Sequence, residues 1–191
     1  KTSSIDAGLD MGLLNDKISI EFNYFQQITK DALFLVPRDP ASGFGLQYTN
    51  VGEISNEGLE FSIYAQIYKS QEFAANARFS IATLENKVES LGGSAPFNLA
   101  GFTFLPRRVE EGQPLGVFRV NVPIKDASGN NTGEFEQKLI GNPLPKQSCS
   151  FSFNITLFRN IYITSLTEFA FGHQIVNLKK TLRYFNQTED A

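Results

Sequence analysis

Several stretches of this chain alternate apolar and polar residues with a period of two. In the most regular one, 149–157, every odd position is apolar and every even position is Ser, Asn or Thr. Only a β-strand converts this period into one apolar and one polar face. The same alternation runs through Ser4 to Leu13, Lys17 to Gln27, Leu59 to Tyr68 and Phe73 to Val88. The pattern predicts an all-β chain.

Short turns join these strands in pairs, and long segments join the pairs. The predicted turns lie at Asn15–Asp16, Ser70–Glu72 and Arg159–Asn160. The long segments, about 29–50 and 89–146, are rich in Gly and Pro, which is typical of loops. Weaker alternation inside them predicts two further extended pieces, near Leu115 to Ile124 and Glu134 to Ile140.

This arrangement of short and long connections favours a membrane protein. Outer-membrane barrels have short periplasmic turns and long extracellular loops. We therefore predict an antiparallel up-and-down meander that forms part of a transmembrane β-barrel, with hairpins at about 4–28, 51–88 and 147–175. One-faced alternation also suits an antiparallel sheet that is covered on one side. A secreted soluble β-sandwich or β-solenoid, acting as a binding or adhesion module, stays open as the alternative.

Aromatic residues near the strand ends are candidates for anchors at the membrane surface, where such residues concentrate. They are Phe25, Tyr64, Tyr68, Phe158, Tyr162 and Phe171. The chain contains no Trp, so this girdle would be built from Phe and Tyr alone.

Composition agrees with a β-rich fold and narrows the partners. The 191 residues include 18 Phe and 6 Tyr, and 41% of them are hydrophobic. Seventeen basic and 20 acidic residues leave a formal net charge of −3, which excludes the basic stripe of a nucleic-acid-binding protein. No apolar run approaches the roughly 20 residues of a membrane helix. Because Lys1 begins within a strand pattern and the polar end TLRYFNQTEDA completes no element, we expect the chain to be part of a longer polypeptide.

Candidate catalytic and metal-binding residues are few. The single cysteine, Cys149, lies on the apolar face of its strand and is predicted to pack there. His173, the single histidine, has no acidic or Cys partner in its element, so neither a triad nor a metal site is predicted. Glu110 and Glu111 stand beside two arginines and form a solvated charge cluster. We predict no enzyme activity and no cofactor.

Four motifs connect the chain to a known family. They are GLDMGLLNDKISIEFNYFQQITKDALFLVP (Gly8 to Pro37), NVGEISNEGLEFSI (Asn50 to Ile63), EGQPLGVF (Glu111 to Phe118) and IGNPLPK (Ile140 to Lys146). In this order they resemble the late barrel of TonB-dependent outer-membrane receptors, in the SusC/RagA-like branch of Bacteroidota. At 126–134, where many relatives carry an acidic, calcium-like turn, this chain has DASGNNTGE, which favours a plain turn over a calcium site.

The resemblance implies a role as barrel wall. Such receptors are barrels of about 22 strands with an N-terminal plug. They import glycans, peptides, siderophores or cobalamin across the outer membrane with energy delivered by TonB. The expected partners are outer-membrane lipid, the remainder of the barrel with its plug, TonB through an N-terminal part, and a SusD-like surface lipoprotein over the long loops. We expect this chain alone not to transport.

Residues that touch a transported ligand should lie in the long loops. Aromatic side chains suit sugar faces, and arginines suit polar partners. The candidates are Phe44, Tyr48, Phe104 and Phe118, with Arg107 and Arg119.

Overall fold

The computed structural model describes residues 1–43, 45–99, 107–177 and 179. In this part of the chain the regular elements are β-strands and one 3₁₀ turn, Pro40–Ser42. The strands are β1 (Thr2–Leu13), β2 (Ile18–Lys30), β3 (Leu33–Pro37), β4 (Leu46–Asn50), β5 (Glu53–Lys69), β6 (Phe73–Thr83), β7 (Glu85–Ser90), β8 (Phe97–Asn98), β9 (Arg107–Val109), β10 (Val117–Lys125), β11 (Asn131–Gly141), β12 (Gln147–Leu157) and β13 (Ile161–Phe171). Among the described residues, no helix has the length and apolar character needed to cross a membrane.

The long strands form one antiparallel sheet, which we call the wall. Its order is β1-β2-β5-β6-β12-β13. In addition, β7 pairs with residues 53–57 of β5, which we call the upper part of that strand. Each strand therefore lies beside the next long strand in the chain, which confirms the predicted up-and-down meander. Within the described residues, β1 and β13 are paired on one side only, so the sheet is open at both ends.

Tight turns close the three hairpins of the wall at one end of the sheet. Asn15 and Asp16 adopt φ values of 55° and 60°, the left-handed conformation that such short turns require and that Asn and Asp tolerate. Phe158 and Arg159 do the same with φ values of 51° and 64°. This second turn is held by tertiary contacts, because the Phe158 ring packs edge-on against Phe73 with centroids 5.1 Å apart.

One predicted strand, Phe73 to Val88, is split in two at Leu84. The backbone N–H of Leu84 donates to the carbonyl of Lys146, and β7 then follows the upper half of β5 alone. At the crossing, a Cβ on Gly58 would lie 2.0 Å from the Thr83 carbonyl oxygen. Only glycine fits at this close approach of the two strands.

A small apolar core lies above the wall, in the long loops. Phe34 and Val36 on β3 meet β7, β8 and β9, and Phe34 packs edge-on against Phe97 at 5.5 Å. We call this unit, residues 31–52, 85–99 and 107–117, the loop platform. Its buried members are Val36, Val88, Leu91, Phe97 and Val109, with Phe34, Val51, Leu99 and Leu115 packed around them.

A second hairpin extends from the platform. It consists of β10 and β11, which pair over most of their length and continue into β9 and β8. The two weakly predicted extended pieces are therefore strands. β11 extends beyond the predicted piece at both ends, whereas β10 begins two residues later and ends one residue later than predicted. β11 is exposed along almost its entire length.

Candidate functional site

The wall has a continuous apolar outer face. Cross-strand partners share a face of a sheet, so the register defines rows that run across all six long strands. One complete row reads Leu9, Phe22, Phe61, Ile81, Cys149 and Phe169. In the described residues nothing covers this face: Leu9 is 60% exposed, Phe151 43% and Phe169 49%.

The height of this face matches a bilayer. On β12 it runs from Cys149 to Leu157, which is about 26 Å along the strand at roughly 3.3 Å per residue. A strand tilt of about 40° converts that length into about 20 Å, comparable with the band of about 25 Å on outer-membrane barrels.

The inner face of the wall is polar and acidic. Its central row reads Asp10, Glu21, Ser62, Ser80, Ser150 and Glu168. Ser62 Oγ donates to Glu21 Oε2 at 2.7 Å, and the Arg78 guanidinium lies 3.4 Å from the same oxygen. Neighbouring strands are also joined by amides, since Asn154 Nδ2 donates to Asn76 Oδ1 at 3.0 Å. The face is concave and bounds a trough of about 800 Å³.

Aromatic residues do not follow the predicted girdle throughout. Phe25, Tyr64 and Tyr162 occupy inner-face positions, because they pair with Asp6, Arg78 and Thr156 respectively. The Phe25 ring lies over Gly58, and Arg78 stacks on Tyr64 at 5.9 Å. Their assignment as membrane-surface anchors is therefore wrong: their position in the alternation, not their aromatic character, decides the face. By contrast, Tyr68 and Phe171 lie in register with the outer face.

Above the apolar rows the outer face becomes charged. On β5 the outward positions change from Leu59 to Glu57 and then Glu53, and β7 adds Glu85 and Lys87 in the same rows, whereas Ile28 on β2 is still apolar at this level. We call this set the charged belt; it consists of Lys30, Glu53, Glu57, Glu85, Lys87 and Glu89. It ends the apolar rows of the outer face on β5.

Two of these charges are closely coupled. Lys87 Nζ donates to Glu89 Oε2 at 2.7 Å, and Ser55 Oγ donates to the other oxygen at 2.7 Å. The hydrogen bond from Lys87, followed by that from Ser55, lowers the pKa of Glu89. In turn, the hydrogen bond to Glu89 and the negative charge of Glu89 raise the pKa of Lys87. The two side chains are 43% and 37% exposed, so the pair contributes little to stability and mainly fixes side-chain positions.

Two of the sequence motifs meet at the base of the platform. Asn86 is buried, donates through Nδ2 to Asn56 Oδ1 at 2.7 Å, and accepts the backbone N–H of Leu115 at 2.7 Å. Asn56 belongs to the motif NVGEISNEGLEFSI, and Leu115 belongs to the motif EGQPLGVF. Nearby, Glu111 Oε1 accepts the backbone N–H of Leu91 at 2.6 Å. These motifs therefore tie the loops to β5 and β7, a role that the sequence did not reveal.

The predicted ligand residues separate into two groups. Phe118 and Arg107 are direct partners in the β9–β10 ladder, with Arg119 adjacent and in contact with Gln137. Phe118 is only 9% exposed and packs within the protein. Tyr48 lies apart on the β3–β4 hairpin and is 70% exposed. Phe44 and Phe104 lie outside the described residues. Ligand binding by any of them stays a prediction.

The hairpin turn at 126–130 is stabilised by hydrogen bonds between the Asp126 side chain and the backbone of the turn. Asp126 Oδ1 accepts the N–H groups of Ser128 and Asn130 at 2.8 and 2.9 Å. These hydrogen bonds, the one from Asn130 first, lower the pKa of Asp126. Among the described residues, no group of three or more His, Cys, Asp and Glu side chains is arranged to hold a metal ion.

A family model decides the identity of this wall. The model described as "TonB dependent receptor-like, beta-barrel" matches residues 1–184. The chain belongs to the TonB-dependent receptor β-barrel family. The resemblance to the SusC/RagA-like branch is thereby confirmed at the level of family, and the relatives below agree with the branch.

Relatives in this family are much longer than the chain. TonB-dependent receptor P3 of Formosa agariphila is 27% identical over 210 residues, covering 92% of this chain and 21% of the relative. TonB-dependent receptor SusC of Bacteroides thetaiotaomicron is 33% identical over 94 residues, covering 49% of this chain and 9% of the relative. The chain thus spans about a fifth or less of their length.

A solved structure shows the same fold. A chain of the RagAB peptide transporter superimposes with a TM-score of 0.74 at 23% identity, covering 90% of this chain and 21% of that chain. The RagAB peptide importer in its "open-open" state gives the same TM-score at 20% identity. At these identities the likeness concerns the fold alone.

Proposed function

We propose that the protein forms part of the wall of an energy-coupled importer in the outer membrane of a Gram-negative bacterium of the Bacteroidota type. The importer takes up nutrients such as glycans, peptides or siderophores, and this segment is non-catalytic. One observation carries the proposal: the sheet is apolar outside over the height of a bilayer and polar inside along a concave trough.

The partners follow from the surfaces left open. Outer-membrane lipid covers the apolar rows. The remaining strands of the barrel pair with β1 and β13, whose outer edges have no partner in the described residues. The barrel interior holds a plug that TonB engages through its N-terminal part. A SusD-like lipoprotein lies over the platform on the extracellular side.

A self-contained secreted module is the weaker candidate. Such a domain must cover its apolar face with a second layer of its own chain. In the described residues, large apolar side chains on the outer face of β1 and β13 remain about 40% exposed or more, as with Ile5 at 64% and Ile161 at 50%.

Cargo contacts are assigned to the loop residues predicted from the sequence. Arg107 on β9 and Arg119 on β10 lie near the root of the β10–β11 hairpin, on opposite faces of the ladder, and carry donors for polar cargo. Tyr48 supplies exposed aromatic surface. Phe118, which is only 9% exposed, completes the predicted set together with Phe44 and Phe104.

Uptake by cells tests the function. A strain that lacks the full-length receptor should lose uptake of one class among labelled oligosaccharides, peptides and ferric siderophores, and the restored receptor should return it. A protonophore should abolish the restored uptake. If deletion leaves all three classes unchanged, the importer role is wrong.

Single substitutions then test the cargo residues in the restored receptor. Arg107→Ala, Arg119→Ala, Tyr48→Ala and Phe118→Ala should each weaken uptake. Lys125→Ala, at the far end of the same hairpin, is the matched control. Uptake equal to that of the control would remove a residue from the set.

A further inference from the structure

Asn86 is the one buried polar side chain among the described residues, with 7% of its surface exposed. Both ends of its amide are used, since Nδ2 donates to Asn56 and Oδ1 accepts the backbone N–H of Leu115. Such bonds add little net stability, because they replace bonds that the same groups make with water. A buried amide can instead select one arrangement of the chain over others, as a single buried asparagine sets the register of a coiled coil.

The segment that this amide holds is the loop 111–116, which runs along β7. Val88 exchanges two backbone hydrogen bonds with the loop, including one of 2.9 Å from its N–H to the Gln113 carbonyl. Backbone groups repeat along a chain, so these bonds alone do not distinguish one register from a shifted one. The bond of 2.7 Å between the Asn86 side chain and the Leu115 N–H does distinguish it, because the amide has one place on β7.

The loop leads directly into the β9–β10 ladder, which carries the two arginines proposed above as cargo contacts. Leu115 is followed after two residues by Phe118, which pairs with Arg107. Arg119 is the next residue on β10. Gly116 lies between the loop and the ladder, and a Cβ built on it would be 3.9 Å from the Cβ of Arg107. The path from the buried amide to both arginines is therefore short and closely packed.

We propose that Asn86 is a positioning residue for cargo capture. By fixing the register of the loop on β7, it sets where Arg107 and Arg119 stand relative to the wall. Asn56 is the second support, because it ties the same amide to β5, a strand of the wall. This inference rests on the proposed function, and it deepens it by naming a residue that acts on cargo without touching it.

Uptake kinetics of the full-length receptor test this role. The test variant is Asn86→Leu, which keeps a similar side-chain size and removes both hydrogen bonds. Asn86→Asp is the conservative variant, because one carboxylate oxygen accepts the Leu115 N–H and the other accepts the Asn56 amide once that amide turns to donate. Uptake is measured against concentration with the labelled oligosaccharide, peptide or ferric siderophore that the unmodified receptor imports.

Two control variants separate positioning from general loss of structure. Val88→Ala removes a fully buried side chain beside the loop and leaves both bonds of Asn86 in place. Asn76→Leu removes a similar amide bond, the one to Asn154 on the inner wall, away from the platform. Heat-modifiable mobility on gels counts the assembled receptor, so that every uptake rate is expressed per assembled barrel.

We expect Asn86→Leu to raise the cargo concentration that gives half-maximal uptake by about tenfold, since one misplaced charged contact costs an effect of this order. The maximal rate per assembled receptor should stay within about twofold, because binding and not translocation is weakened. Asn86→Asp and Asn76→Leu should match the unmodified receptor. Val88→Ala should leave the half-maximal concentration unchanged, whatever its effect on the amount of receptor.

Three results would contradict the proposal. A lower maximal rate for Asn86→Leu at an unchanged half-maximal concentration overturns it, because the residue is then merely structural. An equal rise for Val88→Ala also overturns it, because any loosening of the platform then suffices. An unmodified receptor that imports none of the three cargo classes overturns the importer role and this inference with it. If Asn86→Leu does not assemble, Asn56→Ala removes one of the two bonds and should give a smaller rise; no rise overturns the proposal.

Discussion

The wall and the loop platform are both built from β-strands, but they place their apolar side chains in opposite ways. Every buried hydrophobic side chain in the described residues lies in the platform or at its junctions with β5 and β10: Val36, Ile54, Val88, Leu91, Phe97, Val109, Val117 and Phe118. None lies on β1, β2, β6, β12 or β13. The wall instead turns its apolar residues outward and leaves them exposed.

This difference can be followed along a single strand, β5, whose outward side chains change in character from one end to the other. β5 runs from Glu53 to Lys69, and its outward positions are charged in the upper half and apolar in the lower half. Its upper inward residue, Ile54, is buried against the platform. The apolar side therefore changes face where the surroundings change from lipid to water.

The largest expected effect lies in the platform core. Leu91 is fully buried, so Leu91→Ala should destabilise the platform by about 2–5 kcal/mol. Hydrogen exchange on the assembled receptor should show faster exchange in 31–52 and 85–117, with the wall strands unchanged. Leu46→Ala, on an exposed site, is the control and should change neither. Faster exchange in the wall would contradict the independence of the two regions.

A charge on the outer face should act on the wall. Phe79 lies in the middle of the apolar rows, and Phe79→Lys should cost about 2–4 kcal/mol in a bilayer. Denaturant unfolding of the receptor in lipid vesicles measures this cost. Phe79→Leu controls for size, and Ser80→Lys places the same charge on the inner face. A larger loss for Ser80→Lys would reverse the assignment of the faces.

A matched pair of asparagines compares the two regions directly. Asn86→Ala leaves Asn56 and the Leu115 N–H unpaired in a buried site, and should cost about 1–3 kcal/mol. Asn76→Ala removes the similar bond to Asn154 on the water-facing inner wall, and should cost less than about 1 kcal/mol. Urea midpoints of the two variants provide the comparison, and equal losses would show that the inner wall is as dry as the platform.

The smallest expected effect is a pH dependence at the tip of the β10–β11 hairpin. Because hydrogen bonds lower the pKa of Asp126 in the folded state, its contribution is present above the ordinary Asp pKa of about 3.9 and is lost as the pH falls through the lowered value. Protease nicking near 126–130 should therefore rise on acidification. The Asp126→Ala variant should be nicked more at neutral pH and respond less to acid.

The wall was predictable from the sequence because its information is local. Alternation over about ten residues fixes the face, and short turns fix the pairing, so 4–28 and 147–175 emerged from the pattern alone. The same two-residue alternation already placed Phe25 and Tyr64 at positions of the polar face. Treating them as anchors because they are aromatic ignored that signal.

The platform was not predictable, because its core depends on contacts between distant segments. Val36, Val88 and Val109 stand in Gly- and Pro-rich surroundings where no periodic pattern identifies them. The role of Asn86 depends on Asn56 and Leu115, each about 30 residues away. The motifs containing these partners were visible, but only the fold shows that they meet.

The glycine at position 58 has a consequence for engineering. On one side of it the chain is a sheet with an apolar outer face, and on the other the loop platform has its own apolar core and its own polar contacts. These segments can therefore be transplanted together as a cassette. Grafting them onto another barrel of the same family, with the glycine and both asparagines retained at the splice, should preserve the recipient's assembly while exchanging its loop surface.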